Sequence, residues 1–79
     1  MKMTQISIDR DIVEELVTYK LRRLEEIIRS ILERWNVTYT DDFLSKAKQG
    51  FYPESENDAI DLKQLLAEEQ KLKTLLQEI

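Results

Sequence analysis

The adjacent carboxylate pairs Glu14-Glu15, Glu25-Glu26 and Glu68-Glu69 are the side chains in this sequence best suited to hold a metal or move a proton. The chain has no Cys and no His. That removes disulfides, thiolate or imidazole zinc sites, and nucleophile–histidine catalysis. A carboxylate-only metal site needs several acids pointing inward from facing helices. Of the paired acids only Glu69 falls on an apolar seam; the others belong to a solvated face. A single glycine excludes a glycine-rich phosphate loop. No catalytic residue, metal or cofactor is expected, and the chain does not read as an enzyme. Lys20, Arg22 and Arg23 form the one concentrated basic cluster, but Glu25 and Glu26 follow directly, so it reads as ordinary solvent-facing charge.

Aromatic residues are the other candidates. Five of the six, Trp35, Tyr39, Phe43, Phe51 and Tyr52, fall within eighteen residues. They suit two roles: a plug for one end of a helical hairpin, or an anchor patch for a partner, since buried aromatics dominate many interfaces.

Three helices must position these groups. Asp9 is a suitable N-cap, and Asp11, Glu14 and Glu15 complement the positive end of a helix dipole. Val17, Leu21, Leu24, Ile28, Ile31 and Trp35 follow at spacings of 4, 3, 4, 3 and 4. This is the heptad seam of a coiled coil or bundle. Ile12, Val13 and Leu16 widen the face at its start, and Ile27 and Leu32 flank it, so the stripe exceeds a two-stranded zipper and suits a bundle. From Asp11 to Trp35 there is no Gly, Pro or Asn, which predicts one long helix over 9–35.

The segment 41–49 reads as a short helix, with Thr40 as N-cap, Tyr39 and Leu44 stapling its entry, acids at its front, lysines at its back and Gly50 as terminator. Pro53 and the polar residues after it mark a loop over 50–57. A helix over 58–79 then repeats the seam with Leu62, Leu65, Leu72, Leu76 and Ile79, interrupted by Glu69 and accompanied by Leu66 and Leu75. Two rods of about 33–38 Å, at 1.5 Å per residue, invite antiparallel pairing.

The expected architecture is all-α: one small domain over 1–79, a long antiparallel hairpin with a short connecting helix, assembling as a dimeric bundle. Outside help is expected because a single core in so short a chain supplies only a few kcal/mol. Residues 1–8 read as an extended or disordered arm. Thr4, Ile6 and Ile8 alternate with Met3, Gln5 and Ser7, as in a short strand that could pair with a second copy. No secretory leader or membrane span is apparent, which predicts a cytoplasmic protein with no membrane partner. The net charge is −4, and residues 41–79 carry nine acids against five bases while 1–40 are balanced at seven each. An acidic balance opposes polyanion binding and favours a basic partner.

The opening "MTQISIDRDIVEEL", residues 3–16, resembles the start of ribbon-helix-helix repressors and of the prokaryotic antitoxins that share that fold. The resemblance implies paired strands in the DNA major groove, with Met3, Gln5 and Ser7 facing base edges and Lys2 near phosphate. The departure is the missing turn: between Glu15 and Arg29 Thr18 is the sole candidate helix cap. The wider plan, small, acidic, cysteine-free and helical, is similar to that of type II antitoxins, the RelB-like helical group included. That similarity implies docking on a basic toxin, often a ribonuclease.

The leading expectation is therefore a non-catalytic protein-interaction module, antitoxin-like, that self-associates or binds a protein partner. Leu21, Leu24, Ile28 and Ile31 are expected to assemble against Leu62, Leu65, Leu72 and Leu76. Trp35, Phe43, Phe51 and Tyr52 are the expected partner anchors. A DNA-binding regulator using Lys2, Gln5 and Ser7 is the alternative, and a structural oligomerisation module a further one.

Overall fold

The computed structural model describes residues 9–79. The expected N-terminal strand, with Lys2, Gln5 and Ser7, lies outside the described residues. Three helices account for the described fold: α1 (Arg10–Arg34), α2 (Thr40–Lys48) and α3 (Glu56–Glu78). None is long and apolar enough to cross a membrane.

α1 runs 25 residues without interruption, straight through Thr18. Its entry is fixed by Asp9, whose carboxylate accepts from the Asp11 backbone N–H at 2.9 Å. Its exit is a Schellman motif: Val37 N–H donates to the Leu32 carbonyl at 2.9 Å, and Asn36 N–H to the Glu33 carbonyl at 3.1 Å. Asn36 sits at φ 57°, a left-handed position that Asn tolerates better than most residues. Val37 and Leu32 both join the core, so the turn satisfies orphan carbonyls and tucks the chain inward.

α2 ends the same way. Phe51 N–H donates to the Lys46 carbonyl at 2.9 Å and Gly50 N–H to the Ala47 carbonyl at 3.1 Å, with Gly50 at φ 85°. Its start differs from expectation. Tyr39, not Thr40, occupies the N-cap position, with extended backbone and no side-chain cap. Tyr39 is also 72% exposed, so it does not staple the helix entry into the core. α3 begins at Glu56, two residues before Asp58, after a tight turn in which Ser55 N–H donates to the Tyr52 carbonyl at 3.2 Å. Pro53 suits the second position of that turn, and Glu54 at φ 62° takes the strained one.

α1 and α3 pack as an antiparallel hairpin: Arg34 meets Asp58 at the closed end and Lys20 meets Glu68 farther along. The core concentrates at the closed end, where Ile28 and Leu32 of α1, Phe43 of α2 and Leu62 of α3 form one buried cluster. Phe43 and Leu62 are 0% exposed. Trp35, Leu44, Tyr52, Leu65 and Leu66 pack around them. Toward the open end the seam continues through Val17 and Leu24, with Leu21, Leu72 and Leu76 half-buried.

Phe43 is therefore the side chain through which α2 is tied to both long helices. Phe43→Ala is expected to cost about 3–5 kcal/mol. That approaches the whole stability of a chain this size, about 4–12 kcal/mol. Phe51→Ala, at a side chain 64% exposed, should cost less than about 0.5 kcal/mol. Urea melts followed by far-ultraviolet circular dichroism distinguish the two; equal losses would contradict this placement of the core.

Candidate functional site

Two features of the hairpin stand out: a polar clamp at its closed end and an uncovered apolar face along its side. The clamp is built on Asp58, in the first turn of α3. Its Oδ2 accepts from Trp35 Nε1 at 2.7 Å, and Arg34 Nη1 donates to Oδ1 at 3.0 Å and Oδ2 at 2.8 Å. The end of α1 is thus fastened to the start of α3. Trp35 in turn packs against Phe43 and Tyr52, and Phe43 stacks on Tyr52 with centroids 5.5 Å apart. The indole N–H holds the Asp58 carboxyl below its ordinary range; burial opposes this, and the hydrogen bond and charge of Arg34 reinforce it.

Asp58 escaped the sequence reading because a carboxylate in a first helical turn looks like a dipole partner. Trp35, read as the last seam residue, offered the one hint: a half-buried indole needs an acceptor. The chemistry of the clamp is structural. Trp35 Nε1 and Arg34 Nη1 both donate to the one carboxylate, and among the described residues no group of three acids converges as metal ligands.

The expected interface residues divide. Leu24, Ile28, Ile31 and Leu62 are buried within the single chain, and Leu21, Leu65, Leu72 and Leu76 are half-buried beside them. Of the expected anchors, Trp35, Phe43 and Tyr52 form the internal aromatic plug, whereas Phe51 stands outside it.

The uncovered face is a second stripe on α1. Ile12 is 52% exposed, Leu16 64%, Tyr19 64% and Ile27 40%, at spacings of 4, 3 and 8. Arg23 occupies the intervening helical position. At 100° per residue this stripe lies about 120° around the helix from the seam of Val17, Leu24 and Ile28. Ile12, Leu16 and Ile27 entered the sequence reading as flanks of one wide face; Tyr19 was missed, although its spacing from Leu16 marks it.

The stripe borders a groove between α1 and α3, lined from one side by Ile27, Ser30, Ile31 and Arg34 and from the other by Asp58, Asp61, Leu65 and Glu68. Lys20 and Glu68 approach to 3.5 Å along this same side. α3 contributes Leu75, 40% exposed, and the half-buried Leu72. α2 packs against α3 elsewhere, its Leu44 and Ala47 facing Ala59 and Ile60 across a separate groove.

No protein-family model, curated protein sequence or solved structure matches this chain.

The lowered Asp58 titration fixes the sign of a pH effect. A carboxyl depressed in the folded state adds stability above its ordinary value of 3.8, and that contribution is lost as pH falls through the lowered value. Asp58→Asn is expected to cost about 1–2 kcal/mol at neutral pH. The figure is modest because Arg34 is more than half exposed. Urea titrations from pH 7 down to pH 2 should show the gap between wild type and variant constant to about pH 4 and closing below it. A gap that persists at pH 2 would show that the loss arises from packing.

Proposed function

We propose that this chain is a cytoplasmic, non-catalytic protein-interaction module of the antitoxin type, a helical hairpin that is half of a larger helical bundle. Its working surface is the open side of the α1–α3 pair, and another polypeptide completes it. The observation that supports the reading is the second apolar stripe of Ile12, Leu16, Tyr19 and Ile27.

Magnitudes favour this reading over incidental exposure. Fully burying one such side chain is worth about 1.5–3 kcal/mol, so four that are roughly half uncovered leave on the order of 3–6 kcal/mol unrealised per chain. A folded chain of this length is stable by about 4–12 kcal/mol. Single exposed leucines are ordinary on a protein surface; a line of them at helical spacing is what one helix offers another. A dimeric bundle closes this face with a second helical pair. Docking on a basic toxin, as the antitoxin resemblance implies, would use the acidic excess of residues 41–79 to speed encounter.

The stripe can be altered without touching the core. In Leu16→Glu/Ile27→Glu, both changes fall on exposed positions, so the variant should keep the helicity of the folded single chain. The wild-type chain is expected to elute well above its monomer mass of 9.4 kDa, either alone or co-expressed with the protein encoded by the adjacent gene. The double variant should elute as a monomer in both settings. A monomeric wild type in both, or a variant that assembles equally well, would refute the reading.

A further inference from the structure

We infer that the occupant of the open face is a second copy of this chain, docked with its helices at the same height and its closed end at the same end, about a two-fold axis parallel to the helices. The inference rests on the open face being a docking surface and names what fills it.

Register carries the argument. Within one chain Lys20 faces Glu68 and Arg34 faces Asp58, so facing residue numbers add to about 90. A two-fold axis along the helices slides nothing along them, so α1 meets the second copy's α3 in nearly the same register. The stripe then finds its match at four of its five positions. Leu16 falls opposite Leu75 and Tyr19 opposite Leu72, while Ile12 at one end falls opposite Ile79. Arg23, the one charge in the stripe, falls opposite Glu68 of the second copy. Three of the four apolar stripe residues meet apolar residues and the charge meets its opposite, while Ile27 falls opposite Gln64 at the edge of the groove.

The angular layout agrees. α1 has its own α3 on one side and the stripe about 120° away, a third of a turn, so the stripe faces a second neighbour and not the first. Each long helix would have two antiparallel neighbours, with Ile27, Ile31 and Leu65 facing the shared interior. The groove that holds Leu44 and Ile60 stays clear of the contact. The other two-fold arrangement, with the axis across the helices, lays α1 on its own copy. Centred on the stripe, it sets Leu16 against Arg23 and forfeits both matches.

Charge reversal on the chain alone tests this directly. Arg23 is exposed and pairs with Glu26, and Glu68 is half-exposed and pairs with Lys20, so the substitutions change surface ion pairs and leave the core in place. Sedimentation equilibrium of the wild-type chain should give a dimer. Arg23→Glu or Glu68→Arg should each weaken it at least tenfold, and the double reversal should restore affinity to within about threefold of wild type. Because α1 lies diagonal to its copy in this bundle, Tyr19→Cys should not form a covalent dimer on oxidation.

A monomeric wild type, unaffected single reversals, no restoration in the double variant, or a Tyr19→Cys disulfide dimer each overturns the inference. If the chain alone is monomeric yet assembles with the neighbour-encoded protein through Leu16 and Ile27, this inference falls while the broader reading stands.

Discussion

A pair of helices can cover only one side of each, and that geometric limit shapes this molecule. α1 is apolar over more of its circumference than a single neighbour can bury. α3 takes the seam of Val17, Leu24 and Ile28. α2, only nine residues long, seals the closed end through Phe43. What is left is a stripe of large side chains along the open half of α1, with Leu72 and Leu75 near it on α3. The tightly built end and the open side are two results of one composition, since a short third helix completes the core over only part of the hairpin's length.

The closed end shows how the pieces reinforce one another. A Schellman turn at Asn36 directs Val37 into the core, placing the end of α1 beside the start of α3. There Asp58 takes the Trp35 indole and the Arg34 guanidinium together. The indole that donates to Asp58 also packs on Phe43 and Tyr52, so the polar clamp and the aromatic plug share a side chain. This over-determined end fixes the register of the long helices, and with it the positions at which the open face presents its residues.

Much of this was legible in the sequence. The heptad spacing from Val17 to Trp35 and the absence of any breaker pointed to one long rod, and the leucine seam after Leu62 pointed to its antiparallel neighbour. What did not show was of two kinds. Long-range pairings such as Arg34 and Trp35 with Asp58 join residues 24 and 23 apart, and no local pattern announces them. The division of one wide apolar face into a buried part and an open part depends on where the neighbour lies. Hence Tyr19 went unread, and Phe51, grouped with the aromatics, stands 64% exposed. Thr40 looked like a cap by type, but the turn after Asn36 begins the helix one residue earlier than a Thr40 cap requires.

The account turns on whether the hairpin is complete as one chain or only as part of a larger bundle, and the concentration dependence of thermal unfolding reads that most directly. Association that stabilises only the folded form makes the melting temperature rise with protein concentration. Melts of the chain alone, followed by circular dichroism over a hundredfold concentration range, should shift upward by several degrees. A melting temperature that stays constant over that range, with the helical signal fully formed at the lowest concentration, would contradict completion of the bundle by a second copy of this chain.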